Sequence, residues 1–276
     1  MVAPKKQLMF VHIPKTAGTT FVLILGRLFK WNKTLSYYSA QGRKNHVDFS
    51  AAYKNKFDLS YGHIPFIPDQ GLERGIEYFT FLRKPRERLL SGYKYLKGDK
   101  DHGIEKATAV ADTYLLKDFL KQGVIKNFDN LMVRYLSNNI EKAYLEINEA
   151  DLELAIKNFD TYFQIFGLTE YFNESLVLLS DYMKWAPLYY VKENKSSFKA
   201  EELDEETEKL IEACNKYDEV LYKHAHAKFL KMMADKRGVL DKGLEELKKG
   251  NEKYKLIISF HNKSSLLYSY IRRKLT

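Results

Sequence analysis

The stretch LMFVHIPKTAGTTF, Leu8 to Phe21, is an apolar run that stops at a proline, places a lysine next, and passes through small and hydroxylated residues into a second apolar run. Residues 8 to 13 are apolar at nearly every position, the pattern of a strand buried on both faces. From 18 to 30, apolar residues at 21, 22, 24, 25, 28 and 29 make a helical stripe. The reading is strand, tight loop and helix, with Lys15 at the loop. Small residues let backbone N–H groups approach an anion, the helix start adds partial positive charge, and Lys15 adds a full one. The loop differs from that of nucleotide kinases, where the lysine follows a second glycine and a Ser or Thr binds magnesium. Here Lys15 precedes Gly18.

A second unit of the same kind begins at Glu77-Tyr-Phe-Thr-Phe-Leu82 and continues into a helix from Pro85, a residue suited to a first helical position because the N–H it lacks would be unpaired there. Leu89, Leu90, Tyr93 and Leu96 form one face of that helix. Arg83 ends the strand and Ser91 lies eight positions later; an arginine can fork two hydrogen bonds onto a phosphate and a serine hydroxyl can add another. Alone they read as a surface arginine and a helix serine. Beside the first loop they become a second anion site on the same sheet. A polar stretch, 32 to 56, precedes Phe57 to Phe66 (FDLSYGHIPF), which supplies another strand end. A third strand is expected over Tyr162 to Leu168, followed by a helix capped by Thr169 or Asn173.

Strands alternating with helices predict an α/β protein with a parallel sheet flanked by helices. From Glu201 onward apolar residues at 203, 210, 211, 214, 217, 221, 225 and 229 predict a helical C-terminal part. The Lys-, Glu- and Gly-rich segment 236 to 254 interrupts that spacing and reads as a solvated helix or a linker. The expected division is a catalytic domain over 1–235 and a helical extension over 236–276 packed on the same domain.

At 276 residues, 45% hydrophobic and 14% aromatic, the composition is that of a folded protein. Lys and Arg number 45 against 36 acidic residues, a net +9 that favours an anionic partner without choosing among nucleotide, acidic glycan, nucleic acid and anionic membrane. A single cysteine, Cys214, excludes an internal disulfide and suggests a reducing compartment and a buried, structural thiol. The apolar window Phe21 to Phe29 is interrupted by Arg27 and is far short of the roughly 20 residues that span a bilayer. With no signal-peptide pattern at the start, the expected location is cytoplasmic, the alternative being a lumenal catalytic fragment whose anchor has been removed.

HIPKTAGTTF (12–21), YGHIPF (61–66), FLRKPRERLLSGYKY (81–95), NLMVRYLS (130–137) and FGLTEYFNESLVLL (166–179), in that order, resemble the family of heparan sulfate 2-O-sulfotransferase and related carbohydrate sulfotransferases. The resemblance covers roughly residues 8 to 230 and implies a P-loop-NTPase-like core and PAPS (3′-phosphoadenosine-5′-phosphosulfate) as sulfuryl donor. It implies that Lys15, Thr16, Ala17, Gly18, Thr19 and Thr20 bind the 5′-phosphosulfate and that Arg83 with Ser91 binds the 3′-phosphate. Arg134 matches a family arginine, and Lys195 and Ser196 are candidates to close over the nucleotide. His63 aligns with the catalytic base; relatives can carry another histidine two residues earlier, where this chain has Tyr61. The implied reaction is in-line transfer to an acceptor hydroxyl, expected on a carbohydrate, with Lys15 stabilising charge and no metal. No nucleic-acid partner is expected.

Two other readings compete. An ATP- and Mg²⁺-dependent small-molecule kinase would need an acidic metal-holding site, and a non-enzymatic polyanion-binding module would show steeply salt-dependent binding. His224 and His226 are two apart, on different faces of a helix, and make a poor metal pair. His102 reads as part of an exposed loop. Tyr37-Tyr38 and Tyr189-Tyr190 are expected to pack rather than stack on ligand. The lysines of 242 to 255 and Arg272-Arg273-Lys274 read as solvated faces.

Overall fold

The computed structural model describes residues 6–38, 54–68, 75–98, 115–123, 125, 128–191 and 203–264. Its centre is strand β1 (Gln7–Val11), buried at every position as its unbroken apolar run requires. The other strands are β2 (Thr34–Ser36), β3 (Leu59–Gly62), β4 (Ile76–Leu82) and β5 (Gly167–Leu168), and all pairs are parallel in the order β2-β3-β1-β4-β5. Val11 lies opposite Gly62 on one side and Thr80 on the other. From β1 the chain runs to β2 at the sheet edge, returns inward to β3, then crosses to β4 on the other side of β1, so the strand order reverses beside β1, the topology that favours binding at the carboxyl ends.

The helices in chain order are α1 (Gly18–Leu28), α2 (Pro85–Gly98), α3 (Leu116–Gln122), α4 (Leu131–Ser137), α5 (Glu149–Tyr162), α6 (Phe172–Met183), α7 (Glu205–Cys214), α8 (Lys216–Asp235) and α9 (Arg237–Lys253). Phe21 seats α1 on the sheet: its ring lies 4.8 Å from Phe10, 5.0 Å from Phe79 and 5.2 Å from Phe81. Each such fully buried ring contributes about 2–3 kcal/mol through burial. The expected apolar face of α2 forms a second core, in which Leu89, Leu90, Tyr93 and Leu96 join Phe119 and Leu120 of α3 and Ile211 and Cys214 of α7.

Helices α4 and α8 cap one another. The Asn130 side-chain oxygen accepts from the N–H groups of Tyr217 and Asp218 at the start of α8, and the Asp218 carboxylate accepts from Met132 and Val133 N–H at the start of α4. This exchange satisfies donors that both helix starts would otherwise bury. It also explains why the helical pattern after residue 201 divides at Asn215 into α7 and α8.

Three expectations change. Strand β2, within the polar stretch, is three partly exposed residues on the sheet edge and carries no apolar run to reveal it. The third predicted strand shrinks to Gly167–Leu168, because Tyr162 closes α5 and Phe163, Ile165 and Phe166 are apolar for burial in the core rather than for pairing. Neither proposed cap begins α6: the Thr169 hydroxyl donates to the Leu82 carbonyl, Asn173 accepts from the Tyr190 hydroxyl, and Ser175 bridges Leu168 and Tyr171.

The segment 236 to 254 is a packed helix, not a linker. Leu240 and Leu247 of α9 are buried. A β-carbon on Gly243 would lie 2.5 Å from a Val177 methyl, and one on Gly250 1.9 Å from the Tyr189 ring, so the two glycines, one heptad apart, let α9 settle closely. Residues 255–264 continue as helix. Among the described residues, no helix is long and apolar enough to cross a membrane.

Candidate active site

The loop after β1 holds two non-glycine residues in the left-handed region, Lys15 at φ 71° and Ala17 at φ 68°. Each costs about 1–2 kcal/mol, so the surroundings must hold them. Between them Thr16 is fully buried and its hydroxyl donates to the Ile13 carbonyl at 2.7 Å. That hydroxyl is committed to shaping the loop. Helix α1 starts directly after Ala17 with no acidic residue in its first turn, which leaves the positive helix start uncompensated. Thr19 is exposed and Thr20 half-buried there. Gly18 is dictated by its neighbour: a β-carbon would fall 1.7 Å from Nε2 of His12.

Arg83 follows the last residue of β4 and donates from Nη1 to the Lys15 carbonyl at 3.1 Å. Adjacent parallel strands thus deliver Lys15 and Arg83 to the same end of the sheet. Burial pulls the Arg83 pKa down, against the raising influence of Glu170 and Glu87; an arginine remains charged regardless. The Lys15 ammonium lies 4.1 Å from the centre of the Tyr95 ring on α2, a cation–π contact. Ser91 is one turn before Tyr95 on the same face of α2. Lys15 thus meets both Arg83 and the face of α2 that carries Ser91.

Beyond β3, half-buried His63 meets two residues to which sequence reasoning gave no role in the site. His12, just past β1, has its ring centre 4.5 Å from that of His63, and Tyr38, just past β2, lies edge-on to His63 at 4.8 Å. The Tyr38 hydroxyl is 2.6 Å from His12 Nδ1, and the Phe10 ring stacks with the imidazole at 5.3 Å. Burial, then the charges of His63 and Lys15, hold the His12 pKa well below its usual value. Burial, then Tyr61 and Tyr135, push the Tyr38 phenol well up. Both are neutral near pH 7, the Tyr38 hydroxyl and His12 Nδ1 share one hydrogen bond, and His12 is a fixed, uncharged wall beneath the more accessible His63. Tyr37 is buried as expected, whereas Tyr38 belongs to the site. The local signal was the placement of His12 three residues before Lys15.

Arg134 lies outside this constellation. It is fully buried, ion-paired with Asp129 at 2.7 Å, and donates to the carbonyls of Asp129, Lys142 and Ala143, so it braces the turn after α4. Lys195, Ser196, His102 and Arg272-Arg273-Lys274 fall outside the described residues. Tyr189 and Tyr190 pack against Tyr254 and Phe172. His224 bonds to Asp160 and His226 to the Tyr171 hydroxyl, on separate faces. Cys214 is buried beside the Tyr144 hydroxyl at 2.7 Å, and burial raises its pKa. Among the described residues, no group of three His, Cys, Asp or Glu side chains is placed to hold a metal ion.

The family model for galactose-3-O-sulfotransferase matches residues 1–269. Galactosylceramide sulfotransferase of Bos taurus is 25% identical over 280 residues, 92% of this chain and 64% of that protein. The protein of the same name from Homo sapiens is 25% identical over 284 residues with the same coverage, and galactose-3-O-sulfotransferase 2 of Sus scrofa is 27% identical over 212 residues, 66% of this chain and 50% of its own length. The chain thus spans about two thirds or less of these relatives. The carbohydrate-sulfotransferase resemblance is borne out. The cytoplasmic expectation is overturned by the relatives that the chain matches, galactosylceramide sulfotransferase and galactose-3-O-sulfotransferase 2. One cysteine shows only that no intrachain disulfide forms, which is compatible with either side of a membrane.

Proposed function

This chain belongs to the galactose-3-O-sulfotransferase family, and from that premise we propose that it moves a sulfuryl group from PAPS to a hydroxyl of a galactose-containing carbohydrate. The observation that carries the proposal is the Arg83 to Lys15 hydrogen bond, which holds two cationic loops together at the carboxyl ends of β1 and β4. The residues fit the donor. Lys15, the strained backbone of 15 to 18 and the first turn of α1 with Thr19 and Thr20 suit a phosphosulfate; Arg83 and Ser91 suit a 3′-phosphate.

PAPS, when bound, supplies the sulfuryl group and departs as PAP. His63 takes the proton of the acceptor hydroxyl as the oxygen–sulfur bond forms and the sulfur–phosphate oxygen bond breaks. Lys15 and the loop N–H groups offset the charge that gathers on the departing phosphate oxygens. His12 and Tyr38 fix the position of the His63 ring, so the base is oriented before the acceptor arrives. Residues 1–235 serve as the catalytic domain and 236–276 as its helical extension; the seating of α9 against Val177 and Tyr189 supports packing of that extension on the same domain.

Family membership favours this reading over the kinase and the passive polyanion binder. The test is His63→Ala: PAP affinity holds while sulfate transfer falls by roughly 10²- to 10⁴-fold. Retained transfer removes His63 from the mechanism.

A further inference from the structure

The helix over residues 255–264, continuing from α9 past Tyr254, turns Ile258 and Asn262 inward, with 5% and 1% of their surface exposed. Asn262 accepts a hydrogen bond from Arg27 of α1, which fixes the rotation of the helix. At about 100° per residue the opposite face carries Leu256 and Phe260, with Ile257 beside them. These are 83%, 76% and 69% exposed. Scattered apolar side chains on a surface are ordinary, but three large ones grouped on one helical face mark an interaction site. Their border is mainly basic, with Lys253, Lys255 and Lys263 against one carboxylate, exposed Glu252, a turn before Leu256.

We infer that this face docks the protein on an anionic lipid membrane, with Leu256, Ile257 and Phe260 entering the acyl boundary and Lys253, Lys255 and Lys263 at the headgroups. A short amphipathic helix with an apolar stripe between cations is suited to that interface. The protein's net charge of +9 acts in the same direction. A second copy of the chain is the poorer occupant. A stable protein interface needs about 800 Å² from each partner, more than three side chains supply, and a two-fold contact would set these lysines against their own copies. The inference is independent of the sulfotransfer reading.

The experiment is sedimentation of the full chain with vesicles of phosphatidylcholine, alone or mixed with phosphatidylserine. The wild type is expected to bind the phosphatidylserine vesicles and to release as salt rises. The variant Leu256→Ser/Ile257→Ser/Phe260→Ser is expected to lose at least about tenfold in binding, and Lys253→Glu/Lys255→Glu/Lys263→Glu to lose the preference for phosphatidylserine. Circular dichroism and PAP affinity matching the wild type confirm that both variants are folded. The inference is overturned if the wild type ignores both vesicles, if the apolar variant binds as well as the wild type, or if light scattering shows a dimer that the apolar variant converts to monomer.

Discussion

The ring of His12 lies 4.5 Å from the ring of His63 and is held there by a 2.6 Å contact between its Nδ1 and the Tyr38 hydroxyl. Three strand ends, those of β1, β2 and β3, meet in this contact. A buried neutral imidazole so close to the proposed base sets where that base can sit. Substituting His12→Asn therefore lowers sulfate transfer by roughly 10- to 100-fold, mainly in kcat, with PAP affinity changed less than fivefold. Tyr38→Phe, which removes only the hydroxyl, gives a smaller loss in the same direction. Transfer kinetics beside PAP calorimetry check this pair.

Gly18 faces the same imidazole. Because an added β-carbon would fall on His12 Nε2, and Tyr38 and Phe10 leave that ring little room, Gly18→Ala displaces either the loop or the histidine. The expected cost is about 1–3 kcal/mol of stability together with weakened PAP binding, read by denaturant titration and calorimetry. Ala17→Gly, which relieves a left-handed φ, is expected to be stabilising by a few tenths to about 1 kcal/mol.

Asp218 gives the fold a pH dependence of known sign. Burial raises its pKa to about 6, although Arg88 and the N–H groups of Val133 and Met132 act the other way. A carboxyl that binds its proton more tightly folded than unfolded adds stability at low pH and loses it as pH rises through the folded value. Between about pH 4 and 6 this contribution declines by about 3 kcal/mol. Asp218→Asn flattens that slope in denaturant midpoints measured across the range. His12, with its pKa depressed, has the opposite sign: its contribution is full above about pH 6.5 and falls as the solution becomes more acidic.

Arg134 separates structural from binding arginines. Breaking its buried pair with Asp129 by Arg134→Leu leaves an uncompensated carboxylate and costs about 3–5 kcal/mol. The folded fraction of this variant binds PAP with unchanged affinity. A selective loss of PAP binding at full stability would give Arg134 a direct role in the site.

The two strand-loop-helix units were legible because each announces itself locally: β1 with Lys15 and α1, and β4 with Arg83, Pro85 and α2. Strand β5 was over-read because Phe163, Ile165 and Phe166 are buried without pairing, and an apolar run reports burial rather than hydrogen bonding. Strand β2 was invisible for the converse reason. His12 was in plain view inside the first motif, but its partner Tyr38 reaches it only because β2 and β3 stack beside β1 in that order. Periodicity carries no such information. The fold of 236 to 254 was obscured by Gly243 and Gly250, which weaken a helix by propensity yet are demanded by Val177 and Tyr189.

The most direct measurement is calorimetric binding of PAP, compared with ATP plus Mg²⁺, to the wild type and to Arg83→Ala. The predicted result is tight PAP binding, preferred over Mg-ATP and weakened roughly 10- to 100-fold by Arg83→Ala, the loss expected for charge-assisted hydrogen bonds to phosphate. Absence of PAP binding, or a preference for Mg-ATP, would contradict the assignment of Lys15 and Arg83 to the sulfuryl donor.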